Sequence, residues 1–389
     1  MTMATRCALL VCVLIASCSE NAPPPGAVGM SLADALGTAG DDAGFARATA
    51  PPALQFPRDH GAHRDFRTEW WYVTGNVADA KGQHFGVQLV FFRQALAAAA
   101  GAPPRSASLA ARETILAHAA VTDVDGRRFR CAQRLARAAA GVGEVRGGNG
   151  ASDAFAITCA DWSATAQPGG DGFLPLHLVA VGDDFAFELD VGYGKEPVLQ
   201  GDRGLSQKSD EPGNASIYYS MTRLPITGRL VVGRDVHEVR GQAWLDREWS
   251  TSALGREQVG WDWFSLQLDD RSEVMWYQLR RRDGSVDRWS RGCVVAPDGT
   301  IVPLLREAVE ATPSGEWVAP DGAARYPAHW RLRSSAPAFD LEVEPLLPDQ
   351  ELRLLVRYWE GAVAVRGTRG GAPVGGRGYL EMTGYVGAR

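Results

Sequence analysis

From about residue 56 to the C-terminus the chain is a succession of short aromatic and β-branched runs cut by Gly, Asp and Pro, as at residues 84–93, 155–159, 176–181, 185–191, 229–232 and 352–358. Runs of this length bounded by turn formers read as strands, and long helical periodicity is missing. The chain is therefore expected to be all-β. Two places depart from this pattern: residues 104–118 read as a short helix, and the Ala-rich residues 136–140 as a further helical turn. The Gly-rich segments 141–150 and 168–172 read as mobile hairpin loops.

The pattern also repeats. Trp71-Tyr72-Val73, a turn at Asp79-Ala80-Lys81-Gly82 and a run from Phe85 to Arg93 are answered by Trp263-Phe264-Ser265, a turn at Asp269-Asp270-Arg271 and a run from Val274 to Arg281. Two units that each open with an aromatic hairpin predict two tandem antiparallel barrels, because closure removes the free strand edges of an open sheet. The expected units are 56–250 and 251–389. A barrel of about eight strands has room for packed side chains or one small ligand.

Ahead of these units, residues 18–55 are rich in Ala, Gly and Pro without a period and read as a flexible tether, so that structure is expected to begin near Phe56. Arg6, the apolar residues 8–15 and the sequence Ile15-Ala16-Ser17-Cys18 have the form of a lipoprotein signal spanning 1–17, with Cys18 becoming the acylated first mature residue. The apolar run is too short to cross a bilayer comfortably. Ser19 after the cysteine asks for no retention at the inner membrane, so the expected address is the outer membrane, facing the periplasm. The net charge of −6, with no basic cluster, speaks against nucleic acid. In an oxidising compartment Cys131 and Cys159 either form a bridge or stay unbridged core thiols with Cys293. No CxxC pair is present to build a zinc ribbon.

Several strings fix a resemblance: FPRDHGAHRDFRTEWWYVTGN from Phe56, LQGDRGLSQK from Leu199, ASIYYSMTR from Ala215, GQAWLDREWS from Gly241, GWDWFSLQLDD from Gly260, YWEGAV from Tyr358 and GRGYLEMTGY from Gly376. Together they resemble the AttH-type secreted lipoproteins and carotenoid hydratases over nearly everything after the tether. The resemblance implies two lipocalin-like (calycin) barrels. It also implies one of two activities: water addition to a terminal isoprenoid double bond, or service beside an ABC permease.

In the carotenoid hydratases the stretch matching residues 244–250 carries His-Asp-His-Asn-Trp, where this chain has Leu245-Asp246-Arg247-Glu248-Trp249. Asp246 and Trp249 match; both histidines and the asparagine do not. Alkene hydration needs an acid strong enough to make a carbocation and aromatic faces to hold it, which casts Asp246 as acid and Trp249 as aromatic. The competing reading is a salt-bridged Asp246–Arg247–Glu248 cluster joining the barrels, in which Arg247 keeps its neighbours ionised. Asp262 is a second candidate acid: alternation along 261–268 puts it with Phe264, Leu266 and Leu268, where desolvation would raise its pKa. Glu69 is its counterpart in the first unit, with a ligand headgroup or an arginine as partner. The aromatic wall expected around a ligand is Trp70, Trp71, Tyr72, Trp244, Trp261 and Trp263.

His60 and His63, with Asp59 and Asp65, lack a third ligand in register, so no metal is expected, and no motif calls for a cofactor. Hydrolase signatures such as GxSxG, SxxK and HExxH are absent. The function expected from the sequence is a lipid-anchored carrier of an apolar or amphipathic molecule serving an ABC-type envelope transport system. A hydratase is the alternative, and a scaffold with filled barrels a third reading. An apolar cavity favours the carrier, and a desolvated carboxyl in that cavity favours the hydratase.

Overall fold

The computed structural model describes residues 30–31, 42–98, 112–139, 141–147, 154–252 and 254–386. The signal sequence and Cys18 lie outside the described residues. Two antiparallel sheets carry the fold, and the chain passes from one to the other between Ser250 and Gln258. The first opens with the hairpin Thr68–Asp79 and His84–Ala95, extended on one side by Glu113–Asp123 and Arg128–Arg137. On the other side follow Asp235–Ser250, Ala215–Val232, Phe185–Val191, Leu176–Val181 and three short strands. The second sheet repeats this plan. Its opening hairpin, Gln258–Leu268 and Glu273–Arg281, is flanked by Arg291–Val295 on one side and by Ala372–Met382, Val356–Arg369 and Ala338–Pro345 on the other. In both sheets the first long strand pairs with the last, Trp71 opposite Arg247 and Phe264 opposite Leu380, which curls the sheet into a lipocalin-like barrel.

Both opening turns fall where the sequence places them. In the first, the Asp79 side chain accepts from the Lys81 and Gln83 backbone N–H groups at 2.8 and 3.0 Å, and Gly82 supplies a φ of 84° that a side chain would resist. Alternation then sorts the side chains into three apolar clusters rather than two. Trp71, Val73, Phe91 and Trp249 fill the interior of the first barrel, and Phe264, Leu266, Trp330 and Leu380 that of the second. A third cluster, with Tyr72, Phe92, Tyr218, Trp244, Trp263 and Tyr358, lies between the barrels.

Four local expectations are corrected. Residues 113–118 are the start of the Glu113–Asp123 strand, not a helix, because their Ile, Leu and Ala side chains alternate between two buried faces; residues 99–111 lie outside the described residues. Ala136 likewise belongs to the strand Arg128–Arg137. Within the Gly-rich 141–150 segment, Gly143–Arg146 pairs as a strand with Ala156–Cys159. Structure begins before Phe56, since Ala48 is buried in the first barrel's core and Asp42 forms an ion pair with Arg67 at 2.8 Å. Further upstream, Met30–Ser31 pairs in parallel with Val356 and Arg357.

Cys131, Cys159 and Cys293 are free thiols. The Cys131–Cys159 bridge is excluded by the faces of the sheet: Cys159 points into the first barrel, whereas Cys131 packs against the cluster between barrels.

Candidate functional site

The outward faces of the two opening hairpins and of the strands beside them enclose a recess between the barrels, with about 680 Å³ of empty space including its mouth. The first barrel contributes Trp70, Tyr72, Phe92, Tyr218, Asp246 and Glu248, and the second Trp261, Trp263, Tyr277, Tyr358, Glu360 and Glu381; Lys208 closes one side. Strand register explains the grouping. Directly opposed residues of an antiparallel pair share a face, and Tyr72 lies opposite Asp246, Trp70 opposite Glu248, Trp263 opposite Glu381 and Glu360 opposite Glu381.

Four carboxyl groups and a single ammonium line this mostly aromatic recess. The Lys208 ammonium sits 3.1 Å from Glu248 Oε1 and 4.4 Å from the centre of the Tyr277 ring. Burial by itself would lower the Lys208 pKa, but Glu248 reverses that and raises it, so the ammonium stays charged.

Among the described residues the other three carboxyls have no cation partner. Burial pushes Asp246 up to about 7, although Tyr218 and Trp244 oppose the shift by donating to its two oxygens at 2.6 and 2.8 Å. The Tyr218 hydroxyl is itself held by Trp263 Nε1 at 3.0 Å. Burial pushes Glu381 up to about 8, and burial with Glu381 alongside lifts Glu360 well above the usual carboxylate range. Tyr72 donates to Glu360 Oε1, while Glu360 Oε2 and Glu381 Oε1 are buried without a hydrogen-bond partner among the described residues. A carboxyl with an unpartnered oxygen in an apolar wall is held in its protonated form. The recess thus combines stored protons with aromatic faces.

Of the residues singled out from sequence, Asp246, Trp70, Tyr72, Trp261 and Trp263 line this recess, and Trp244 stands behind it holding Asp246. Four others do not. Asp262 faces the interior of the second barrel, as alternation required. There burial raises its pKa against the opposing Arg280 at 3.2 Å, and Gln278 and Tyr385 each donate to it at 2.9 Å. Trp249 is inside the first barrel, stacked on His63 with ring centres 3.7 Å apart. Trp71 is inside as well, 3.7 Å from the Arg247 guanidinium. Glu69 finds arginines rather than a ligand: Arg93 and Arg247, the latter at 2.6 Å, hold its carboxyl well below the usual range despite its burial.

The Asp246–Arg247–Glu248 cluster does not form, for the same reason. Consecutive strand residues point to opposite faces, so Arg247 enters the first barrel while Asp246 and Glu248 face the second. Arg247 therefore does not keep Asp246 ionised.

Sequence reasoning missed Glu360 and Glu381, although both lie in quoted strings. Each is an acid within a strand buried on both faces, which only the second barrel's packing explains. Lys208 and Tyr218 were missed because nothing local marks them. Among the described residues no group of three or more His, Cys, Asp or Glu side chains is arranged to hold a metal ion.

The AttH-like family profile matches residues 47–385. Among solved structures, an AttH protein of Nitrosomonas europaea is 34% identical with a TM-score of 0.74, the match covering 87% of this chain and 100% of that one. Kievitone hydratase of Nectria haematococca is 14% identical with a TM-score of 0.65, covering 88% of this chain and 96% of that one, and so shares the fold. No curated protein matches the chain. The family match spans both barrels and the recess between them, and the chain belongs to the AttH-like family.

Proposed function

We propose that the recess between the barrels binds an unsaturated apolar molecule and adds water across one of its double bonds. The observation carrying this reading is the set of carboxyls without a cation, Asp246, Glu360 and Glu381, in an aromatic wall. A carrier needs the apolar recess alone and gives these acids no task. The sequence alternative therefore becomes the preferred reading. Hydration is also the reaction class in the name of one fold neighbour.

In the proposed step Glu381 gives its carboxyl proton to one alkene carbon, and the π pair forms the new C–H bond. The cation left on the other carbon is held by the faces of Trp70 and Trp261. A water molecule attacks that carbon, and Asp246, as carboxylate, takes the proton the water loses. The product has gained one H and one OH, and solvent exchange returns the proton from Asp246 to Glu381. Asp246 suits the acceptor role because both of its oxygens already have donors; Glu381, with an oxygen left bare, suits the donor role. Attachment of the protein through an acylated Cys18 would place this chemistry at a membrane surface, where such substrates collect.

The test is incubation with acyclic isoprenoids in oxygen-18 water. Label should enter the product with wild type and disappear with Asp246→Asn and with Glu381→Gln at unchanged affinity, because the apolar body supplies the binding. The wild-type rate should peak between the two acids' pKa values, about 7 and about 8. Absence of label across a broad substrate panel returns the protein to the carrier reading.

A further inference from the structure

The recess is built twice over from the internal repeat. Asp246 lies opposite Tyr72, the recess-facing aromatic that follows Trp70 on the first opening strand, and Glu381 opposite Trp263, which follows Trp261 in the same way on the second; by face Tyr72 thus answers Trp263, one residue away from the sequence repeat that set Trp71 against Trp263. Ser220 lies opposite Asp246 as Glu360 lies opposite Glu381, and Tyr218 and Tyr358 each stand two residues earlier on those strands. The proton-exchanging groups are therefore related by the repeat.

The Lys208–Glu248 pair breaks that relation. Two residues beyond Asp246 stands Glu248 with its lysine; two residues beyond Glu381 stands Thr383. A buried ion pair is a poor stabiliser beside an apolar alternative, because desolvation consumes most of the attraction. Lys208 and Glu248 nonetheless occupy this wall, 9% and 8% exposed at their side chains. An ammonium has three N–H donors, and among the described residues the oxygen partner of Lys208 is Glu248. Its other close neighbours are the Tyr277 and Tyr218 rings, which offer faces rather than lone pairs.

The geometry points to a ligand with two parts: an acceptor oxygen, carboxylate or ketone, bound by Lys208, and an apolar unsaturated body running past Trp70 and Trp261 toward Asp246 and Glu381. This deepens the reading of the recess as a hydration site by naming the substrate class and the residue that selects it. Lys208 fixes which end of the molecule meets the acids. The second barrel, with Thr383 at the matching place, adds no cation to the described residues that line the recess.

Binding of three probes, followed by quenching of tryptophan fluorescence, tests this without requiring turnover. Farnesoic acid and geranylacetone carry the oxygen, and farnesene does not. Wild type should bind the first two at least about tenfold tighter than farnesene, the weight of one charge-assisted hydrogen bond. Because Lys208→Met strands Glu248, the charge-neutral double variant Lys208→Met/Glu248→Gln is measured beside it. In the double variant the preference should vanish while farnesene still binds. Equal affinities in wild type, a preference that survives in the double variant, or failure of all three probes to bind folded wild type would each overturn the assignment. Oxygen-18 incorporation is scored separately, so a failed hydration reading and a failed Lys208 assignment remain distinct.

Discussion

Asp246 shows what burying a single carboxyl costs in stability. In the unfolded chain an aspartate titrates near 3.9, whereas in the fold burial holds Asp246 near 7. Between those values the unfolded state has lost a proton that the folded state keeps, so rising pH favours unfolding by up to about 1.4 kcal/mol per pH unit. The histidines held low by burial, His60 and His118 at about 3 and His84 at about 4, act oppositely below pH 6.5. Comparing Asp246→Asn with wild type cancels those common contributions. The variant's stability relative to wild type should grow from pH 4 to pH 7 and stay level above, read by chemical denaturation at each pH. A constant difference would mean that Asp246 is ionised in the fold throughout. Wild type itself should lose stability between about pH 6.5 and 8, where the histidines no longer compensate and Glu381 is still titrating.

The strand Thr68–Asp79 divides its work between its faces. Trp71 points into the first barrel, 3% exposed, with Arg247 over its ring and its indole N–H donated to the His60 carbonyl at 2.8 Å. Trp70, one residue earlier, lies on the recess wall and is only half-buried. Trp71→Ala should therefore cost about 3–5 kcal/mol of stability. Trp70→Ala should cost much less and weaken ligand binding instead. Equilibrium denaturation and fluorescence titration of the two variants separate these effects, and a Trp70 variant as unstable as the Trp71 variant would contradict the division of faces. The strand Gln258–Leu268 obeys the same logic, with Trp261 and Trp263 toward the recess and Asp262 and Phe264 inward.

At the scale of the molecule, the third apolar cluster makes the two barrels one folding problem. Tyr72, Phe92, Tyr218 and Trp244 of the first barrel are buried against Trp263, Tyr277 and Tyr358 of the second. Contacts also cross as hydrogen bonds: His118 Nδ1 with the Tyr358 hydroxyl at 2.9 Å, and Thr122 donating to Gln350 Oε1 at 2.6 Å. An isolated fragment 42–252 would expose an aromatic patch large enough to drive association. It should be recovered aggregated or binding a hydrophobic dye, and co-expression with 254–389 should restore a soluble complex. A monomeric, cooperatively folding fragment without dye binding would show the interface to be dispensable.

The sequence by itself determined the all-β class, the two opening hairpins and the alternation that sends Asp262 inward, because strand periodicity and turn chemistry are local. The family likewise was legible in the order of its Trp-containing strings. What only the tertiary structure decided is where the outward faces meet. Asp246, Glu360 and Glu381 come from strands far apart in the chain, and their pKa values are raised by burial that exists only once the second barrel covers the first. For the same reason Trp71, Trp249 and Glu69, local neighbours of recess residues, belong to the first barrel's interior. A strand's two faces are one residue apart in sequence, but which face meets a cavity and which a core is set by what packs against each.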